Sequence, residues 1–138
     1  MTDRAAPVPA VEDGLDRAAT AVMNRVARTF ALAARLLPAD VRRDVRRLYL
    51  VMRTLDDLVD FADPRASDEI ALVEAWAARP PGDRRAEGCL APILGELESR
   101  HPLLPRDAVA DFCAGMRADL EGFRAASDAD LDRYCYQV

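Results

Sequence analysis

The sequence predicts an all-α protein. Its apolar residues recur at steps of three and four along most of the chain, the spacing that places them on one face of a helix. No segment alternates apolar and polar residues over enough positions to predict a strand. Proline and glycine mark short breaks between the helical segments, and 138 residues is about the size of one domain. We therefore expect one unit of helices joined by short loops.

The second predicted helix is the most regular element. It begins at Pro38 and ends near Phe61, and its apolar residues form one stripe: Val41, Val45, Leu48, Met52, Leu55 and Val59. Ser127, followed three residues later by Asp130, resembles a capping box and predicts the start of the last helix. The other helices are expected at about residues 15–37, 67–78, 87–99 and from Pro105 onward.

Composition restricts the function. Residues 1–14 lack the features of a secretory signal, so we predict a flexible leader before a folded domain of residues 15–138 in a cytoplasmic, bacterial protein. The net charge of −5 and the absence of a basic tail disfavour nucleic acid. Three cysteines without a CxxC pair predict buried thiols rather than a disulfide framework, and one histidine gives zinc few ligands.

The segment RTLDDLVD places three aspartates on the second helix. Asp56 and Asp60 are four residues apart and share a face, with Asp57 beside them, so their charges repel unless a cation is near. One interpretation is a solvated helix face on which Arg53 pairs with Asp57. The other is a Mg²⁺ site, because this ion binds one or two carboxylates together with phosphate oxygens, and Arg53 could hold the diphosphate.

Two longer stretches bear on that choice. The segment ARTFALAARLLPADVRRDVRRLYLVMRTLDDLVD contains a Thr-Phe pair, an LLP turn, an arginine-rich helix, a tyrosine and R-x-x-D-D-x-x-D. The end of the chain, GMRADLEGFRAASDADLDRYCYQV, combines an acidic segment with a Tyr-Cys-Tyr stretch. In this order they resemble the signatures of the squalene/phytoene synthase family, the head-to-head prenyl diphosphate synthases, from about Asn24 to Val138.

The resemblance implies a class I isoprenoid (terpenoid) synthase helical bundle, of which this chain would be the N-terminal half. It implies Mg²⁺ ligands at Asp56, Asp60 and, with less weight, Asp57. Substrate-binding residues would be Arg28, Thr29, Phe30, Tyr49, Arg53 and Val138, and the catalytic set would be Asp56, Asp60, Tyr134 and Asp119. The alternative for Phe30, Tyr49 and Val138 is a purely structural place in the core.

Two features depart from the family's pattern. Ala27 stands where relatives commonly carry a serine, and no second aspartate-rich motif follows, so we expect the N-terminal portion of a longer enzyme that is inactive by itself.

A cluster of four arginines is predicted to be a solvated face that could attract acidic lipid or substrate: Arg42, Arg43, Arg46 and Arg47.

The implied function is Mg²⁺-dependent head-to-head condensation of two prenyl diphosphates through a cyclopropyl intermediate. The substrates would be farnesyl or geranylgeranyl diphosphate, NADPH would be used only in a squalene-type reaction, and release of the product could involve peripheral association with a membrane. The alternative from another class is a non-catalytic helical binding or assembly protein that retains the fold.

Overall fold

The computed structural model describes residues 9–80 and 85–138, with side chains from residue 14 onward. Within these ranges the chain forms helices and no strands, which confirms the all-α prediction. None of these helices is long and apolar enough to cross a membrane. The helices are α1 (Pro9–Val26), α2 (Arg28–Ala34), α3 (Ala39–Asp60), α4 (Ala66–Ala78), α5 (Ala91–Arg100), α6 (Arg106–Leu120) and α7 (Asp128–Gln137).

The helix boundaries differ from the predicted ones mainly at three places, the start of the first helix, its division into two and the start of α5. The predicted helix 15–37 is divided at Ala27, whose φ of −129° and ψ of 59° leave the helical region. The start of α5 lies at Ala91 instead of Glu87, after a turn. The cap of α7 is confirmed, because Ser127 Oγ accepts a hydrogen bond from Asp130 N at 3.2 Å. Residues 1–8 of the predicted leader lie outside the described residues, and α1 already includes residues 9–14.

The chain divides into two compact units, Met1–Leu50 and Val51–Val138, and the boundary falls within α3. In the first unit α1 packs against α2. The core consists of Met23, Ala31 and Ala34, and several half-buried side chains pack around it: Ala27, Leu37, Val45 and Tyr49. The small alanine side chains allow the two helices to approach closely.

Part of the predicted arginine face is buried instead of solvated. Arg47 is only 1% exposed, and its Nε donates a hydrogen bond to Asp16 Oδ1 on α1 at 2.8 Å. The prediction of a fully solvated cluster was therefore wrong for Arg47. Burial of an arginine requires a paired acceptor, and this acceptor comes from 31 residues earlier in the chain, which spacing on α3 alone does not reveal.

The second unit has a larger core in which α4 and α6 form the most extensive helix pair. Its buried residues come from four helices: Val51, Leu55, Leu58, Ile70, Val73, Trp76, Ile93, Leu94, Leu97, Val109, Cys113 and Met116. The predicted stripe on α3 was thus wrong in part, because Val51 and Leu58 are buried whereas Val41 is 38% exposed. Cys89 and Cys135 are exposed free thiols, so the prediction of buried cysteines holds only for Cys113.

A polar network lies inside this core. Trp76 Nε1 donates to Glu98 Oε2 at 3.3 Å, and Arg106 pairs with the other oxygen of the same carboxylate. The guanidinium also donates to the carbonyls of Trp76 and Arg79 at 3.0 Å and lies 4.6 Å from the centroid of the indole ring. Glu98 is 5% exposed, and its ion pair with Arg106 compensates the charge of a buried carboxylate.

We expect Arg106→Met to lower the free energy of unfolding by about 3 kcal/mol, because a buried carboxylate would lose its cation. Urea denaturation of the chain measures the change. Adding Glu98→Gln to this variant should restore part of the loss. The control is Arg133→Met, which breaks the ion pair between Arg133 and Asp130. The Arg133 side chain is 66% exposed, so this substitution should change stability little. Equal losses in the two single variants would contradict a special role for the buried pair.

Candidate functional site

The last two turns of α3 place an arginine between two carboxylates. Arg53 Nη1 donates a hydrogen bond to Asp56 Oδ2, and Arg53 Nη2 lies 2.5 Å from Asp57 Oδ1. The side chains of the two aspartates are 35% and 37% exposed, and that of Arg53 is 25% exposed. The Arg53–Asp57 pair expected for a charged helix face is therefore present, but the guanidinium also binds Asp56, the proposed metal ligand.

Asp60 has a different environment, since it is exposed and pairs with no cation among the residues that the structure describes. Burial raises the pKa of Asp56, the charge of Arg53 opposes this, and Asp60, Asp57 and Asp119 raise it further. The four carboxylates thus act on one another, and one guanidinium compensates only part of their charge. Additional positive charge would stabilise this group.

Asp119 and Tyr134 join this acidic group from later in the chain. Asp119 is in the last turn of α6, and its Oδ1 accepts a hydrogen bond of 2.6 Å from the Tyr134 hydroxyl on α7. This bond is the main reason why the pKa of Tyr134 is raised, followed by burial, the charge of Asp119, and smaller effects that include Asp56. Tyr134 therefore remains a neutral phenol at physiological pH.

The turn after α6 positions the tyrosine ring. Gly122 has a φ of +73°, a conformation that glycine adopts without strain, and Phe123 N bonds back to Ala118 O at 2.9 Å. The chain reverses there and stacks Phe123 on Tyr134, with ring centroids 4.6 Å apart and planes 10° apart. Phe123 directly follows this glycine, and a glycine at the end of a helix is a sequence signal for such a turn.

Val138 lies at the end of this arrangement. A Cβ added to the buried Gly115 of α6 would stand 2.9 Å from both Gln137 O and Val138 Cγ1, so only glycine allows the end of α7 to lie this close to α6. Val138 is 51% exposed, so it does not occupy a buried core position, which was the alternative to a role in substrate binding. Its predicted contact with a prenyl chain stays a prediction.

The other predicted substrate-binding residues belong to the first unit. Phe30 and Tyr49 form a tilted ring pair with centroids 5.8 Å apart, and Phe30 is 47% exposed, so it is not a core residue either. Tyr49 is half-buried. Arg28 lines a cavity of about 370 Å³ together with residues that include Asn24 and Arg35, and Thr29 is exposed.

In the described ranges, no three His, Cys, Asp or Glu side chains are grouped closely enough to hold a metal ion by themselves. This does not conflict with the chemistry of Mg²⁺, which commonly binds one or two carboxylates and fills its other positions with water and phosphate oxygens. Asp60, which has no ion pair among the described residues, and Asp56, one helical turn away, would provide that number of oxygen ligands. The metal assignment of these residues stays a prediction.

Comparison with known proteins identifies the chain. The sequence profile of squalene/phytoene synthase matches residues 23–138, which include every residue of the site described above. The chain belongs to the squalene/phytoene synthase family. The all-helical architecture agrees with the isoprenoid synthase fold that the sequence resemblance implied.

Individual relatives carry related names. Phytoene synthase 3 of Zea mays is 33% identical over 99% of this chain and 33% of its own length. The 15-cis-phytoene synthase of Synechococcus elongatus is 31% identical over 83% of this chain and 37% of its own length. Presqualene diphosphate synthase of Rhodopseudomonas palustris is 28% identical over 100% of this chain and 46% of its own length. The chain therefore spans less than half the length of these relatives, and no solved structure shows a significant match to it.

We expect Gly115→Ala to lower the free energy of unfolding by about 1–3 kcal/mol, because the new methyl group would force α6 and the end of α7 apart. Chemical denaturation measures the change, and loss of the Tyr134–Asp119 hydrogen bond should accompany it. Gly95→Ala is the matched control, since an added Cβ there meets nothing within 4 Å in the middle of α5. This control should gain about 0.5–1 kcal/mol from helix propensity. Equal effects of the two substitutions would exclude a steric role for Gly115.

We expect Asp60→Asn to raise the free energy of unfolding of the metal-free chain by about 0.2–0.5 kcal/mol at pH 7, because it removes one like charge from the face of α3. Thermal unfolding in the presence of EDTA measures the change. The gain should decrease in 1 M salt, which screens the repulsion at roughly 3 Å. A loss of stability at low salt would mean that Asp60 makes a favourable contact instead.

Proposed function

We propose that the protein to which this chain belongs catalyses the head-to-head condensation of two prenyl diphosphates through a cyclopropyl intermediate, in the presence of Mg²⁺. The observation that carries the proposal is the group formed by Arg53, Asp56, Asp57 and Asp60, which combines diphosphate-binding and metal-binding chemistry on one helix face. Family membership and the names of the relatives supply the reaction class. The substrates would be C15 or C20 prenyl diphosphates.

The donor set fits Mg²⁺, because hard carboxylate oxygens are the ligands this ion prefers. Asp56 and Asp60 would hold it, with Asp57 as a further ligand. When bound, Mg²⁺ supplies positive charge that stabilises the departing diphosphate. Burial is the main cause of the raised pKa of Asp56, and repulsion from Asp60, Asp57 and Asp119 adds to it. A bound cation would relieve this repulsion.

Arg53 binds the diphosphate in this proposal. Its planar guanidinium now donates to two carboxylates, and the same geometry suits two oxygens of one phosphate group. Exchange of carboxylate for phosphate would keep the guanidinium hydrogen bonded throughout. Arg28 and Thr29 on α2 would contribute further donors, and the absence of a serine at Ala27 removes one.

Tyr134 supplies a neutral hydroxyl, and Asp119 fixes its direction. As the diphosphate leaves, an allylic carbocation remains, and an aromatic face can stabilise it by about 1–2 kcal/mol where water is excluded. Phe30, Tyr49 and Val138 would contact the prenyl chains and exclude water from that cation. NADPH would be required only if a squalene-type reduction follows, and a hydrocarbon product would favour peripheral contact with a membrane during release.

Residues 1–138 alone are expected to bind Mg²⁺ and prenyl diphosphate weakly and to show no turnover, because they correspond to 33–46% of the length of the relatives compared above. Radiolabelled farnesyl or geranylgeranyl diphosphate, incubated with this chain and with the full-length protein, tests both statements. The full-length protein should form a C30 or C40 product that depends on Mg²⁺. Tight binding without any product would favour the non-catalytic binding protein, and product from residues 1–138 alone would overturn the expected inactivity.

We expect Arg53→Lys in the full-length protein to lower kcat/KM at least about tenfold with little change in Tm, because a loss of about 1.4 kcal/mol of transition-state binding corresponds to a factor of ten. Lysine keeps the charge but lacks the planar fork. The control is Arg133→Lys, since Arg133 also pairs with an aspartate three residues away but is 66% exposed on α7. Unchanged steady-state kinetics for Arg53→Lys at saturating Mg²⁺ would remove Arg53 from diphosphate binding.

A further inference from the structure

A second positively charged cavity lies in the first unit, between α1 and the beginning of α3. Its volume is about 210 Å³, several times the roughly 30 Å³ that one water molecule occupies in the liquid. The cavity is lined by Asp16, Thr20, Ala39, Arg42, Arg43 and Arg46. None of these residues takes part in the function proposed above.

The single carboxylate of this lining is already paired. Asp16 Oδ1 accepts a hydrogen bond from the buried Arg47 at 2.8 Å, so its charge is compensated from outside the lining. Arg43 Nε lies 3.9 Å from Asp44 Oδ1, which is an ion pair too long for a hydrogen bond. Since Asp16 is paired with Arg47, its charge does not neutralise the arginines that line the cavity.

Arg42 and Arg46 have no carboxylate partner in the part of the chain that the structure describes. Arg42 donates only to the carbonyl of Arg35 at 3.4 Å, and Arg46 only to the hydroxyl of Thr20 at 3.2 Å. The Nε groups of Arg43 and Arg46 are buried and make no hydrogen bond. Buried donors of this kind are costly unless an acceptor reaches them.

The beginning of α3 adds to this positive charge. Ala39 is the first residue of a 22-residue helix, and the first backbone N–H groups of a helix have no partner within it. Together with the helix dipole they favour an anion. Asp40 lies exposed in the same turn. It forms no ion pair with these arginines among the described residues, so it offsets only part of their positive charge.

We infer that this cavity is an anion site for a phosphate or diphosphate group, carried either by a soluble molecule or by a lipid headgroup. A phosphate group offers several acceptor oxygens, and guanidinium groups bind it in a planar, charge-assisted geometry. Arg42 and Arg46 supply the uncompensated charge, and the backbone at Ala39 supplies further donors. The site uses none of the acidic residues that the proposed function assigns to Mg²⁺.

Isothermal titration of residues 1–138 with inorganic diphosphate, in EDTA and low salt, tests the inference. We expect saturable binding that becomes about tenfold weaker in Arg46→Gln, the loss of one charge-assisted hydrogen bond. Arg42→Gln should weaken binding similarly, and it provides an independent test if Arg46→Gln unfolds. The matched control is Arg25→Gln, which removes an exposed charge from α1 outside the cavity and should leave the affinity within twofold of wild type, about 0.4 kcal/mol.

The location of binding is tested with Arg53→Gln. Binding that survives this substitution and is lost in Arg46→Gln supports the cavity. Binding lost in Arg53→Gln but kept in Arg46→Gln would overturn the inference and leave the proposed function intact. Equal weakening by Arg25→Gln would also overturn it, because the effect would then reflect net charge alone.

Vesicles distinguish the two sources of the phosphate group. Cosedimentation with vesicles that contain phosphatidic acid, but not with phosphatidylcholine alone, supports a lipid headgroup if it is lost in Arg46→Gln and kept in Arg25→Gln. Binding of free diphosphate without such cosedimentation supports a soluble phosphate compound. Absence of both kinds of binding would overturn the inference.

Discussion

Repulsion between carboxylates on α3 is the constraint on which the site depends. Leu55 and Leu58 are buried and anchor α3 in the core of the second unit. Asp56, Asp57 and Asp60 lie within five residues on the same helix. Arg53 relieves part of this repulsion by binding two of the carboxylates at once. In the proposed function the same guanidinium would bind a diphosphate and the same carboxylates would bind a metal ion.

The backbone turn after α6 positions Tyr134 beside Asp119, the fourth carboxylate of the acidic group. Gly122 reverses the chain after α6, Phe123 stacks on Tyr134, and the hydroxyl of Tyr134 reaches Asp119. Gly115 allows the end of α7 to lie close against α6. These contacts attach α7, in which no residue is fully buried, to α6. The hydrogen bond, the ring stack and the close approach at Gly115 all contribute to the position of α7.

Arginine serves three different purposes in this chain, which contains no lysine. Arg106 and Arg47 belong to ion pairs with at least one buried partner, Arg53 bridges half-exposed acids, and Arg46 has no acid partner in the described ranges. The environment distinguishes them more than the residue type does. A guanidinium buried beside a carboxylate compensates its charge, whereas one without a carboxylate at a cavity would be available to bind an anion, as inferred for Arg46.

The sequence by itself determined the helical class, the extent of α3, the cap at Ser127 and the clustering of three aspartates, because each follows from interactions within a few residues along the chain. Only the tertiary structure decided that Arg47 is buried on Asp16, that Val51 and Leu58 rather than Val41 are buried on α3, and that Tyr134 donates to Asp119. These contacts join residues on different helices. Periodicity shows which face of a helix is apolar, but the partner that compensates a buried charge comes from another part of the chain, and only packing brings it there.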